Sequence, residues 1–287
     1  MKRRRFLQIA AATLACPRGA RARTWQGTAL GADVSLTLTG PGAETALART
    51  RETLTRIEAL FSLYRPSQLT ALNATGTLAA PDPGMIALCR LADDAFRLTA
   101  GRFDPTVQPL WTALATGGDT NAARALIGWD RVTLRPDRIT LAPGQALTFN
   151  GIAQGYATDV VTAELAAMGF THALVNIGEY RALGGPWRIG LADPRFGDLG
   201  RITLTGRAVA TSSPATLFVG GRPHILSRDW RMPLWATVSV TAPTAALADA
   251  LSTAFCLMDR DAIGAALARR PGTHARLIDA DGNLTST

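Results

Sequence analysis

Asn150-Gly151-Ile152-Ala153-Gln154-Gly155-Tyr156-Ala157-Thr158-Asp159 joins an expected strand, Leu147 to Asn150, to an expected helix, Ala153 to Met168. A strand feeding a helix across glycines can open a doubly wound parallel sheet. Here the chain holds no Gly-x-Gly-x-x-Gly, so a dinucleotide would be held in some way other than a Rossmann crossover. Gly151 and Gly155 read as places where ligand atoms approach the backbone. The first helical turn offers unpaired N–H groups at a positive dipole end, which suits a phosphate. Glycine-bounded turns of this kind also occur with no ligand at all.

Outward from this stretch, helices and strands intermix. Gly31 to Leu38 alternates apolar and small polar residues and reads as a strand, and Pro41-Gly42 turns the chain. Ala43 to Phe61 carries Leu47, Leu54, Ile57 and Leu60 at helical spacing. A polar loop is expected over Leu63 to Thr77, then a helix from Pro83 to Thr99 closed by Ala100-Gly101. A short helix follows over Thr120 to Gly128. Val132-Thr133-Leu134 and Ile139-Thr140-Leu141 flank Arg135-Pro136-Asp137-Arg138 and predict a hairpin. Further strands are expected at His172 to Ile177, Trp187 to Leu191, Arg201 to Leu204, Ala208 to Thr211, Thr237 to Thr241 and Ala275 to Asp279. The last helices are Ala245 to Met258 and Ala262 to Arg269. Short hairpin-like turns between strands favour an α+β fold, a mixed or largely antiparallel sheet packed with helices.

The chain of 287 residues is 47% hydrophobic, enough for a sizeable core. Its net charge of +8 is unevenly placed. Lys2, Arg3, Arg4, Arg5, Arg18 and Arg21 precede residue 23, where no acidic residue occurs, and the remainder carries only +2. No basic stripe interleaved with aromatics is left, which argues against a nucleic-acid partner. Lys2 is the one lysine, so neither a P-loop lysine nor a Schiff-base lysine exists beyond it. The basic start, the apolar run Phe6 to Ala15 and Ala20-Arg21-Ala22 together read as a twin-arginine export signal over residues 1–22, with the functional domain over 23–287. The apolar run is too short to span a membrane, so no transmembrane helix is expected. Thr13-Leu14-Ala15-Cys16 is a poor lipobox, so no lipid anchor is expected at Cys16. Cys89 and Cys256 could form one disulfide in an oxidising compartment, but their apolar surroundings favour two buried thiols.

Three further groupings carry chemistry. Asp249 and Thr253, at i, i+4 in an almost wholly apolar helix, put two oxygens on one face. A buried carboxylate needs a partner. Magnesium, which takes few protein oxygens plus water and phosphate, would serve, and so would a helix cap or an arginine. His224, in Gly221-Arg222-Pro223-His224-Ile225-Leu226, could act as a base or a phosphate contact, or be structural. Gly101-Arg102-Phe103-Asp104-Pro105-Thr106-Val107-Gln108-Pro109-Leu110-Trp111 reads as a rigid loop whose aromatic rings could stack on a flat heterocycle.

Taken in order, these features resemble the ApbE family, the FAD:protein FMN transferases. Gln26-Gly27-Thr28, Phe61-Ser62-Leu63-Tyr64-Arg65-Pro66-Ser67 through Leu72-Asn73, the Gly101 to Leu110 segment and Gly151 to Asp159 each resemble a family motif. So do Asn176-Ile177-Gly178, Trp187 to Pro194, Ala210-Thr211-Ser212 and Asp249 to Ala254. The resemblance implies an ApbE-like, T-fold-like architecture. It implies FAD bound as substrate by Tyr64, Arg102, Phe103, Asp104, Gln154 and Tyr156, with His224 and Ile225 near the flavin–phosphate end. Mg2+ would be held by the Ala153 carbonyl, Asp249 and Thr253. His224 and Asp249 would be the catalytic pair, and FMN would pass to a threonine of an exported flavoprotein acceptor domain in the periplasm, with release of AMP.

The chain departs from the family pattern at four places. Gln154 stands where lysine is frequent, Glu179 replaces the second glycine after Asn176-Ile177-Gly178, and Ser213 replaces a glycine after Thr211-Ser212. The pattern His-x-x-Asp-Pro-x-Thr-Gly reads here His224-Ile225-Leu226-Ser227-Arg228-Asp229-Trp230-Arg231, without Asp-Pro or Thr-Gly. Two alternatives to transfer follow. One is a non-catalytic FAD-binding accessory or carrier protein, and the other a Mg-dependent FAD pyrophosphatase using water as nucleophile.

Overall fold

A computed structural model describes residues 23–287. The expected export signal, its twin arginines and Cys16 lie outside the described residues. In chain order the elements are β1 (Arg23–Ala29), β2 (Ala32–Leu38), α1 (Ala43–Phe61), α2 (Gln68–Thr75), β3 (Thr77–Ala79), α3 (Pro83–Leu98), α4 (Gln108–Thr116) and α5 (Thr120–Ala125). Then come β4 (Thr133–Arg135), β5 (Arg138–Thr140), α6 (Ala153–Ala167), β6 (Ala173–Ile177), β7 (Tyr180–Leu183), β8 (Trp187–Asp193), β9 (Gly197–Leu204) and β10 (Ala208–Ser212). The chain closes with β11 (Phe218–Val219), β12 (Arg222–Pro223), β13 (Thr237–Ala242), α7 (Ala245–Phe255), α8 (Arg260–Ala268), β14 (His274–Ile278) and β15 (Leu284–Ser286).

Eight strands form the main sheet in the order β1-β2-β6-β7-β10-β13-β14-β15. Every strand pairing among the described residues is antiparallel, as the α+β reading expected. One face of the sheet carries the helices. Val34, Leu36 and Leu38 of β2, with Ala173, Val175 and Ile177 of β6, join α1, α3, α6 and α7 in the principal core. The hairpin β8–β9 covers part of the other face, where Leu174, Ala182 and Val209 meet Trp187, Ile189, Leu191 and Leu204. β6 is therefore buried at all five positions, and its unbroken run of apolar residues before and after Asn176 follows from having both faces covered. α7 is enclosed on nearly every side, with nine of its eleven residues buried, which is why its sequence shows no polar stripe.

Several local expectations need correction. The polar stretch Leu63 to Thr77 contains α2, started by a capping box in which the Ser67 hydroxyl accepts Thr70 N–H and the Thr70 hydroxyl accepts Ser67 N–H. The stretch Gly101 to Trp111, expected as a loop, passes through a 3-10 turn at Pro105–Val107 into α4. Leu147 to Asn150 is not a sheet strand. The Asn73 amide takes the place of a neighbouring strand there, accepting Leu147 N–H at 2.7 Å and donating to Leu147 O at 2.9 Å. β1 and β7 were not expected. β1 pairs along its whole length with β2 across a turn in which Leu30 and Gly31 have φ of 51° and 71°. Cys89 and Cys256 are free and buried, and burial pushes the Cys89 thiol up to about 12. No helix among the described residues is long and apolar enough to cross a membrane.

Candidate functional site

The site is built where α6 and α7 meet. Each helix carries an acid that caps the other. The Gly155 N–H, in the first turn of α6, donates to Asp249 Oδ2 of α7 at 3.0 Å. The first N–H groups of α7, on Ala245 and Ala246, donate to Asp159 Oδ1 and Oδ2 of α6 at 2.8 and 2.9 Å. Neither acid is a neighbour in sequence of the helix end it satisfies. Arg181 of β7 pairs with Asp159 and ties the arrangement to the sheet. The two helices therefore cross antiparallel: the N-terminus of α6 lies beside Asp249 and Thr253, and the N-terminus of α7 faces Asp159 on the other side of the crossing.

The two glycines of the quoted stretch serve this contact. A Cβ on Gly155 would lie 2.3 Å from Ala245 O, and one on Gly151 would lie 2.9 Å from Thr253 Oγ1 and 3.4 Å from the Phe103 ring. The sequence reading had both glycines opening the backbone to a ligand. In the structure they open it to α7. Asp249 meets Gly155, one helical turn later Thr253 meets Gly151, and Ala153 lies between these two contacts. Asp249, Thr253 and Phe103 thereby meet at the Gly151–Gly155 segment that contains Ala153. Asp249 is 3% exposed. The Ser212 hydroxyl, from the end of β10, bonds Ser252 Oγ at 2.8 Å and Thr253 Oγ1 at 3.4 Å.

A divalent metal can be tested against this donor set. No group of three or more His, Cys, Asp or Glu side chains suited to a metal occurs among the described residues. On the Asp249 side of the crossing stand one carboxylate, Asp249, and the hydroxyls of Thr253, Ser252 and Ser212. That all-oxygen set of low charge suits Mg2+, which keeps water and substrate phosphate as its other ligands. The residues fit such an ion and do not suit zinc.

The other expected contacts are distributed around the crossing. His224 follows β12, and its Nδ1 lies 3.1 Å from Pro214 O and 3.2 Å from Leu217 O. Carbonyls only accept, so Nδ1 carries a proton, and in the neutral ring the lone pair is on Nε2. Ile225 is buried in the principal core. Gln154 is 6% exposed. Its Nε2 donates to Leu30 O at 3.1 Å, and a Cβ on Gly178 would come within 2.5 Å of its Oε1. It ties α6 to the β1–β2 turn by a hydrogen bond and packs closely against Gly178 in the β6–β7 turn. Tyr156, about 100° further round α6 than Gly155, stands edge-on to Phe61 at 5.7 Å; burial and the nearby Asp82 charge raise its phenol pKa. Asp104 braces its own turn, accepting from Thr106 N at 2.8 Å, Thr106 Oγ1 at 2.5 Å and Trp129 N at 3.3 Å. Burial raises its carboxyl pKa despite those bonds. Tyr64 is 65% exposed and lines an open depression of about 530 Å3 with Leu63, Arg65, Pro66, Ser67, Thr70 and Ala71, to which neither Asp249 nor His224 contributes.

Arg102 pairs with Asp229 at 2.6 Å, inside the segment that departs from the family pattern. Asp229 also takes Arg231 Nε at 2.8 Å and the Ser227 hydroxyl at 2.7 Å. Burial alone would raise the Asp229 carboxyl pKa. The hydrogen bonds from Arg102 and Ser227 and the Arg102 charge outweigh it and hold it below the ordinary range. Trp230 has φ 62°, and its ring lies under Arg222 at 4.2 Å and Arg124 at 5.2 Å. Arg124 Nε donates to Arg228 O at 2.9 Å.

Sequence reasoning assigned no role to Asp159, Arg181, Ser212, Ser227 or Asp229. Asp159 stands in the quoted stretch, but the helix it caps begins 86 residues on, and no spacing rule reaches that far.

Residues 30–277 match the ApbE family. A FAD:protein FMN transferase of Rhodobacter capsulatus is 30% identical over 254 residues, covering 78% of this chain and 48% of that protein. The chain thus spans about half the length of the curated relative it matches. Among solved structures, the apo form of the flavinyl transferase ApbE of Pseudomonas stutzeri superposes with a TM-score of 0.81 at 26% identity, over 93% of this chain and 94% of that one. The ApbE protein of Thermotoga maritima gives 0.83 at 26% identity, over 93% and 97%. The flavin transferase ApbE of Vibrio cholerae, at 23% identity and a TM-score of 0.81 over 94% and 97%, shares the fold.

Proposed function

Because the chain belongs to the ApbE family, we propose that it is a Mg-dependent flavin transferase that moves FMN from FAD to a threonine of an exported flavoprotein domain, in the periplasm. The observation that supports this reading best is the reciprocal capping of α6 and α7, which sets Asp249 and Thr253 beside the N-terminus of α6, where Ala153 stands. That is a place for a pyrophosphate and a hard cation.

In this reading Asp249, Thr253 and the Ala153 carbonyl hold Mg2+, which when bound offsets phosphate charge and stabilises the charge that develops as the bridging P–O bond breaks. The N-terminus of α6 orients the pyrophosphate. The buried, water-poor surroundings of Asp249 strengthen each of these interactions. His224 presents the Nε2 lone pair, because Nδ1 keeps its proton toward Pro214 O and Leu217 O. It takes the threonine hydroxyl proton as that oxygen bonds to the FMN phosphorus, and the bond from that phosphorus to the bridging oxygen breaks to release AMP. Arg102, Phe103 and Tyr64 are the flavin contacts of this reading, and Tyr64 is the most accessible of them.

The test is intact-mass spectrometry of an acceptor flavoprotein domain incubated with the protein, FAD and Mg2+, with and without chelator. A chelator-sensitive gain of one FMN is expected. The rearranged Ser227–Arg231 segment favours one second reading, a flavin carrier. FAD retained by the protein with no adduct on any acceptor would select it, and free FMN and AMP without acceptor would identify a pyrophosphatase instead.

A further inference from the structure

Three side chains, from the β8–β9 hairpin, the start of β13 and the residue after β10, form one line of hydrogen bonds. Asp193 ends β8 and is 5% exposed, Thr237 opens β13 and is fully buried, and Ser213 follows β10. Thr237 Oγ1 donates to Asp193 Oδ2. A carboxylate only accepts, so this bond uses the one hydroxyl proton of Thr237, and Ser213 Oγ must donate to Thr237 Oγ1, at 2.5 Å. Asp193 is itself fixed, since its Oδ1 accepts the N–H of Arg195 at 2.7 Å and of Phe196 at 2.8 Å.

The line ends on the segment that holds the His224 ring. The Ser213 carbonyl accepts Thr216 N–H at 3.1 Å and Thr216 Oγ–H at 2.8 Å, closing a turn over Pro214–Thr216. Two carbonyls, that of Pro214 at the head of the turn and that of Leu217 just after it, converge on His224 Nδ1, and Leu217 O also accepts His224 N–H at 3.0 Å. The turn is thus anchored at its head by a side chain that reaches the interior and presents two acceptors to one ring nitrogen. Ser213 stands where the family resemblance led to an expectation of glycine, so the last link of the line is supplied by a residue in which this chain departs from the pattern.

We propose that Ser213, Thr237 and Asp193 are positioning residues for His224, holding the Pro214–Leu217 carbonyls so that the imidazole keeps its proton on Nδ1 and directs Nε2 at the reacting hydroxyl. The proposal rests on the reading of His224 as the base. The members of the line polarise one another, each donor strengthening the next bond, so loss of the terminal hydroxyl loosens the whole turn.

The test is 15N NMR of the full chain labelled at histidine, with His224 assigned by the signal lost in His224→Gln, alongside FMN transfer kinetics. The native chain is expected to show a protonated Nδ1 and an unprotonated Nε2 at alkaline pH. Ser213→Ala should give a mixture of tautomers and a roughly tenfold fall in kcat, with KM for FAD unchanged. Ser213→Thr should restore both. Ser213→Gly, in case alanine disturbs folding, should behave as Ser213→Ala does. An unchanged His224 tautomer in Ser213→Ala and Ser213→Gly overturns the proposal whatever the rate does. A shifted tautomer with an unchanged rate upholds the positioning and removes the base role from His224.

Discussion

The crossing of α6 and α7 and the Ser227–Arg231 segment sit in one fold but are held by opposite means. The crossing is interior and made of small residues. Gly155 touches Ala245, two carboxylates satisfy two helix ends, and nothing near Asp249 has room to move. The Ser227–Arg231 segment lies at the surface. It is held by long side chains reaching in from elsewhere, Arg102 to Asp229 and Arg124 and Arg222 to Trp230. Its one main-chain oddity, Trp230 at φ 62°, is the kind of strain an interior contact would not need. Gly151 and Gly155 at the crossing leave no space for a larger side chain, whereas the surface segment can be rewritten so long as its arginines find partners.

Breaking the crossing gives the largest effects. Gly155→Ala places a Cβ 2.3 Å from Ala245 O and should cost about 3 kcal/mol, read from urea unfolding. Asp159→Ala removes two caps of α7 and the Arg181 partner. It should cost about 2 kcal/mol in the same measurement and weaken FAD binding by displacing Asp249. If either variant is as stable as the native chain, the crossing is not the rigid part.

Changes in the surface segment should be milder. Trp230→Gly relieves about 1 kcal/mol of backbone strain and loses about as much in stacking under two guanidinium groups. Its melting temperature should therefore stay within about 2 °C of the native value. Asp229→Asn should have the smallest effect, a fall of about 1 °C near neutral pH, because the carboxylate is more than a third exposed and its ion pairs are screened. The sign with pH is definite. The folded pKa of Asp229 lies below its ordinary value, so its contribution is complete above about pH 4 and is lost as pH falls through the depressed value. The native and Asp229→Asn melting curves should therefore converge in acid.

What was legible in the sequence follows the same division. α1, α3, α6 and α7 could be read because their apolar spacing or glycine boundaries are local, and the antiparallel plan followed from short turns between alternating strands. α2 was missed because its apolar stripe is only Leu69 and Leu72, and its start depends on a Ser67–Thr70 exchange inside a polar stretch. β7 was missed because a four-residue strand after Gly178 carries no alternation of its own. In the site, the Asp249–Thr253 pairing on one helix face was readable from i, i+4 spacing. That Asp249 caps α6 while Asp159 caps α7 was not, since each bond spans more than 80 residues. Nor could any spacing rule join Arg102 to Asp229, 127 residues apart.

The central claim is that the α6–α7 crossing is the working part of the molecule, through Asp249. Intact-mass analysis of an acceptor flavoprotein domain, incubated with FAD, Mg2+ and either the native chain or Asp249→Ala, tests it most directly, with circular dichroism confirming that both are folded. One FMN is expected to be added by the native chain and none by folded Asp249→Ala. An equal FMN gain from both would contradict it.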